Sequence, residues 1–329
     1  VRFSGAFAVL IALFGSVTPA HAATMPQCGD TLRQSVKLTA DLECSGTAGL
    51  VVGANGVTIN LNGHALSGSP ALTMTDVDGT TIRNGTVAAI NVVADNATNT
   101  RFIDATFGNR NGSYFWNGTT SVTFLRSKIN AWRIFCGARC TVLNSSFTME
   151  QIGATHVRIQ GDQGTTNSIN HVGGTVTEIV HTKLNPLTVG ATERLTIRDS
   201  ELDHFDLRAG GRLELLRNTF SGGLWLGVHE AGSGIIRGNR FEKMKLAGLF
   251  VDVKKPLTGP LLIERNTFAD NKEDGLRINV PIPLDITVRK NVSENNLQYG
   301  MWAQPDTVKD GGGNVSNNDA LGCFTIVCA

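Results

Sequence analysis

Ile263-Glu264-Arg265-Asn266-Thr267-Phe268, followed by Gly275-Leu276-Arg277-Ile278-Asn279-Val280, sets the architecture of this chain. The same phase recurs on both sides of it. Ile236-Arg237-Gly238-Asn239-Arg240-Phe241 precedes Gly248-Leu249, and Val288-Arg289-Lys290-Asn291 precedes Gly300-Met301; the glycine falls nine residues after the asparagine each time. With Asn218 and Asn314 included, the asparagines lie 21 to 27 residues apart, inside the window of solenoid repeats. Weaker copies run upstream at Thr196-Ile197-Arg198-Asp199-Ser200, Thr123-Phe124-Leu125-Arg126-Ser127 and Thr81-Ile82-Arg83-Asn84-Gly85.

Within each copy the apolar period is two. Leu249, Val251 and Val253 alternate with other residues, as do Leu276, Ile278 and Val280, and Leu224, Leu226 and Val228. Such alternation predicts strands, and no segment after residue 22 carries an amphipathic helical pattern. A unit of this size cannot cover its own apolar face, whereas stacking on copies of itself does. The asparagine then has two expected tasks. One per rung, about 4.8 Å from the next, it can build a hydrogen-bonded ladder inside the coil. It also tolerates the left-handed backbone of a sharp bend. The phenylalanine two residues later is expected to stack in the lumen. These readings predict an all-β parallel solenoid of about 13 rungs.

The pattern apolar-x-x-Asn-x-Phe with a following Gly-Leu resembles the repeat of the pectate-lyase-like superfamily, also called the carbohydrate-binding and sugar-hydrolase repeat. The resemblance runs from about Leu50 to Asn318. The stretch from Cys28-Gly29-Asp30 through Leu61-Asn62-Gly63-His64 is similar to the opening of bacterial exported members. It implies a single-stranded right-handed parallel β-helix, with ligands along the sheet of Gly-Leu strands. A fold of this kind carries lyases, hydrolases, epimerases and non-catalytic surface proteins, so it does not fix an activity.

The ends and the bulk composition are consistent with export. Arg2, the apolar run Phe3 to Val17 and Ala20-His21-Ala22 read as a signal peptide over 1–22, and Val1 reads as an alternative bacterial start codon. Residues 23–329 then form one β-helix domain, with an N-terminal cap at about 23–48 and a C-terminal cap at about 315–329. No later stretch is apolar for long enough to span a bilayer. With 29 basic and 28 acidic residues, bulk charge argues against a nucleic-acid partner. Six cysteines fall as three neighbouring pairs, and local disulfides are the simplest reading in an oxidising compartment: Cys28 with Cys44, Cys136 with Cys140, Cys323 with Cys328. Zinc-like spacing and EF-hand loops are lacking, so no metal or cofactor is expected; calcium would have to rely on scattered Asp side chains.

Aligning Leu187, Phe205, Leu224, Leu249, Leu276 and Met301 places Thr188, Asp206, Trp225, Phe250, Arg277 and Trp302 on the outer face. Two positions on come Gly190, Arg208, Gly227, Asp252, Asn279 and Gln304, with His229 and Lys254 at strand exits. Aromatic faces stack on sugar rings, and Arg, Asp and Asn make directional hydrogen bonds. Trp225, Phe250 and Trp302 are therefore the expected platform, with His229, Lys254, Asn279 and Gln304 as further contacts. Asp206, Asp252, Arg208 and Arg277 are the candidate catalytic groups. A carboxyl pair about two rungs apart suits inverting hydrolysis at roughly 6.5–9.5 Å. An arginine beside a uronate suits elimination, provided that the site lowers its pKa. The same charges would equally serve as a solvated ion-pair network.

Leu202-Asp203-His204-Phe205-Asp206 is the densest acid–His cluster, with Asp203 and His204 expected in the connection before the strand. The Asn-Thr-Asp, Gly-His-Gly and Arg-Ile-Lys signatures of polygalacturonases are absent, as are the Asp-Pro-His of mannuronan epimerases and the Trp-x-Asp-His of pectate lyases. The expected function is that of a secreted monomer that binds a polysaccharide or cell-surface glycan and, if catalytic, cleaves it by hydrolysis or elimination. The alternative is a non-catalytic exported β-helix of the cell surface or wall.

Overall fold

The computed structural model describes residues 25–329, apart from 90, 109–110, 162–165, 186–187 and 254. The signal-peptide reading of 1–22 and the assignment of Lys254 lie outside the described residues. The described chain contains no helix and winds into a parallel β-helix of about 14 turns, close to the rung count expected from the repeat. Each later turn carries three short strands. Leu249–Val251, Leu261–Glu264 and Thr267–Ala269 pair in parallel with Leu276–Ile278, Ile286–Arg289 and Val292–Glu294 one turn on. No helix among the described residues is long and apolar enough to cross a membrane.

Short strands lie within the segment read as the N-terminal cap. Thr31–Leu32, Val36–Lys37 and Leu42–Glu43 already pair with Leu50–Val52, Thr58–Asn60 and Ala65–Gly68. At the other end Val315–Asn317 and Cys323–Phe324 pair with Val292–Glu294 and Met301–Ala303. All three neighbouring cysteine pairs are joined, and three disulfides fit an oxidising environment.

The ladder runs through Asn218, Asn239, Asn266, Asn291 and Asn314, all buried. Asn266 Oδ1 accepts from the Asn239 backbone N–H at 2.9 Å and from Asn239 Nδ2 at 3.0 Å. Asn266 Nδ2 donates to Ile236 O at 2.8 Å and to Asn291 Oδ1 at 3.0 Å. Every lone pair and proton of the amide is used, which is why it tolerates full burial. Upstream, serine takes the place of asparagine: the Thr182 N–H donates to Ser200 Oγ, and the Ser200 N–H donates to Asn218 Oδ1. A second ladder, Asn271 to Asn296 to Asp319, lies after the phenylalanines and was not anticipated from the repeat.

The left-handed residue of the bend is not the ladder asparagine, as expected, but the residue before it. Asp199, Arg217, Arg265 and Lys290 have φ of 53°, 54°, 54° and 54°, and Gly238 has 65°. The ladder side chain must point inward to reach its neighbours, so the chain reverses one residue earlier. Phe220, Phe241 and Phe268 stack in the lumen as expected, with ring centroids 5.0 and 5.2 Å apart and near-parallel planes.

Candidate functional site

Parallel pairing fixes what faces outward on the Gly-Leu sheet. One column runs Arg133, Gln151, His171, Thr188, Asp206, Gly227, Phe250, Arg277, Trp302 and Phe324. Five of the six expected positions are here. Trp225 is not: Phe205 pairs with Leu226 rather than Leu224, so Gly227 takes the place assigned to Trp225. The register shifts twice along this pair of strands, between Asp203 and Phe205 and between Leu207 and Arg208. Asp203 and His204 lie within the continuous strand Glu201–Ala209, not in a connection before it.

The adjacent column changes accordingly. Gly153, Gly173 and Gly190 stack on consecutive rungs and lead to Arg208. A Cβ at Gly173 would meet open space, so these glycines leave a shallow floor that internal packing does not demand at that position. Beyond Arg208 the sheet places His229 level with Asp252, because Val228 pairs with Val251.

His229 joins the two carboxylates. Its Nε2 lies 3.4 Å from Asp206 Oδ1, and its Nδ1 lies 3.9 Å from Asp252 Oδ2. Arg208 donates from Nε and Nη2 to Asp206 Oδ2 at 3.2 and 3.1 Å. Asp206 Oδ1 is buried and receives no hydrogen bond. An imidazole flanked by carboxylates is oriented by them. The ring occupies the space between the acids, so these two carboxylates do not face each other across an open gap as a simple hydrolytic pair would.

A cleft of about 460 Å³ opens here, lined by Arg208, His229, Glu230, Asp252, Lys255 and Thr258 among others. Glu230 and Lys255 were missed in the sequence because both lie where strands give way to loops, outside the alternating pattern. Phe250 meets His229 edge-on, with centroids 6.3 Å apart.

Arg277 is not part of this cluster. It stands three rungs from Asp206, about 14 Å along the stack. Its Nη1 donates to Asp274 Oδ2 at 3.1 Å, and its guanidinium lies 5.0 Å from the Trp302 ring centroid. Burial pushes the Asp274 carboxyl up from its ordinary value, against the lowering effect of the Tyr299 N–H and of Arg277. Trp302 in turn stacks on Phe324, 6.2 Å away and nearly parallel. Asn279 and Gln304 follow on the same face; their backbone N–H groups donate to Val251 O and Ile278 O. The expected site residues thus separate into a polar cluster around His229 and an aromatic–arginine ridge towards the C-terminal end. Comparison with protein-family models, curated proteins and solved structures finds no match.

Proposed function

We propose that this protein binds a linear extracellular polysaccharide along the Gly-Leu sheet and cleaves it at the His229 cleft. One observation carries the reading: a histidine held between Asp206 and Asp252 in the lining of a cleft, in the column beside the ridge of Phe250, Trp302 and Phe324. The ridge supplies ring-stacking subsites, and the glycine floor leaves room for the chain on the other side. His229 is the general acid–base. In hydrolysis its imidazolium gives a proton to the glycosidic oxygen as the C1–O bond breaks, and water adds at C1 with loss of its proton to solvent; in elimination the neutral ring takes the C5 proton α to a uronate carboxylate held by Arg208, the C4–O bond breaks as the C4=C5 double bond forms, and the departing oxygen takes a proton from water. The resemblance of the repeat to the pectate-lyase-like superfamily and the three disulfides support a secreted, glycan-directed role.

A panel of neutral and uronate polysaccharides tests this. Reducing ends report cleavage, and ultraviolet absorbance of an unsaturated product reports elimination. Turnover that survives His229→Ala removes His229 from the chemistry. Absence of turnover, with binding lost in Trp302→Ala, makes the protein a non-catalytic glycan binder.

A further inference from the structure

A second groove, of about 820 Å³, lies on the outer face of the neighbouring sheet in the N-terminal half. Its residues come from consecutive rungs. Arg101 pairs with Thr123, Thr123 with Thr141, Thr141 with Arg158 and Arg158 with Glu178. Beside them run Ser121, Arg139, His156, Val176 and Arg194. Four arginines, Arg101, Arg139, Arg158 and Arg194, therefore line the groove against one carboxylate, Glu178.

That carboxylate is already engaged. Glu178 Oε2 lies 3.2 Å from Arg158 Nη1, and its Oε1 lies 3.8 Å from Arg198 Nη2. Arg101, Arg139 and Arg194 are exposed and form no ion pair among the described residues. Several arginines elsewhere on this coil do find acids: Arg126 meets Asp104, Arg217 meets Asp199, and Arg237 and Arg289 both meet Glu264. Three unmatched guanidinium groups in one concavity, in a chain with net charge +1, form a local field that the overall balance conceals.

We infer that this groove binds an anionic polysaccharide segment, bearing carboxylates or sulfate esters, laid along the helix axis. From Arg101 to Arg194 spans five rungs, about 24 Å, long enough for several sugar units and straight because the rungs are. Guanidinium forks match carboxylate and sulfate oxygens in bidentate fashion. Between them stand Asn99, Ser121, Thr123, Thr141 and Gln160, whose hydroxyls and amides suit sugar hydroxyls. No Phe, Tyr or Trp lines the groove, so it lacks the stacking platform that single-stranded nucleic acid uses. The inference rests on these residues alone and not on the His229 cleft.

The test measures binding of polygalacturonate, dextran sulfate, neutral dextran and single-stranded DNA by titration calorimetry. A Phe250→Ala/Trp302→Ala background removes the stacking face from the measurement. Binding of one or both acidic polymers, steeply weakened by salt, is expected, with none of neutral dextran; the two acidic arms distinguish carboxylate from sulfate. Adding Arg101→Gln, Arg139→Gln and Arg194→Gln together should weaken it about tenfold or more, at an unchanged melting temperature, since all three side chains are exposed and none holds an acid whose loss would be felt. Arg139→Glu alone should weaken it as well. Acidic-polymer binding that is indifferent to these substitutions, or tighter binding of DNA than of either acidic polysaccharide, overturns the inference.

Discussion

His229 Nε2 sits 3.4 Å from Asp206 Oδ1, an oxygen buried from solvent that no hydrogen bond reaches. The pair joins adjacent rungs of one sheet and would not exist if the register between them slipped. Arg208 occupies the other oxygen of the same carboxylate, so Asp206 is fixed from one side and faces the imidazole from the other.

If His229 is the acid–base group, His229→Ala should lower kcat by about 10²- to 10⁴-fold, the usual contribution of a positioned proton-transfer group. KM should change far less, because the stacking ridge is untouched. Steady-state kinetics on whichever polysaccharide is turned over check this; an equal loss in KM alone would reassign His229 to binding.

Trp302→Ala should weaken glycan binding by about threefold to tenfold, since an aromatic stacking contact is worth roughly 0.5–1.5 kcal/mol beyond area burial. Arg277 would also lose the ring beneath it. Affinity electrophoresis of Trp302→Ala beside Trp302→Phe separates the two effects, because the phenyl ring retains a stacking face.

Asn266→Ala should cost about 1–3 kcal/mol of stability, because it strips partners from buried groups on both neighbouring rungs. The Asn239 backbone N–H, the Ile236 carbonyl and Asn291 Oδ1 each lose a bond. Denaturant midpoints measure it; an unchanged midpoint would contradict the ladder.

Glu264 should give the fold an acid limb. Burial raises its carboxyl pKa, but hydrogen bonds from Arg289, at 2.6 Å, and from Arg237 outweigh this and hold it below the ordinary 4.5. A folded pKa below the unfolded one contributes stability above the unfolded value, and that contribution is lost as pH falls through the folded value. Urea midpoints from about pH 6 to about pH 3 should therefore fall less steeply in Glu264→Gln than in the wild type.

The repeat was legible because one physical constraint acts on every rung. A buried amide must find partners one turn up and one turn down, so Asn239, Asn266 and Asn291 keep a fixed offset to Gly248, Gly275 and Gly300 whatever the length of the loops between. The cysteine pairs were equally legible, being neighbours in sequence. Where serine replaces asparagine and turns shorten to 18 residues, as between Ser200 and Asn218, the signal weakened because the hydroxyl gives the same bond without the same letter.

The outer face was only partly legible. Period-two alternation tells inside from outside, but it is blind to a slip of two, and Leu224 and Leu226 satisfy it equally. The bulges opposite them chose Leu226 and moved Trp225 out of the column. Asp206, His229 and Asp252 were each visible as outward polar residues. That one imidazole bridges two acids was decided by parallel pairing of turns of unequal length, which sequence spacing does not encode. The arginine groove belongs wholly to the tertiary structure. Arg101, Arg139 and Arg194 are far apart along the chain, and only the rung-by-rung stacking, which brings residues a turn apart to about 4.8 Å, turns them into one surface.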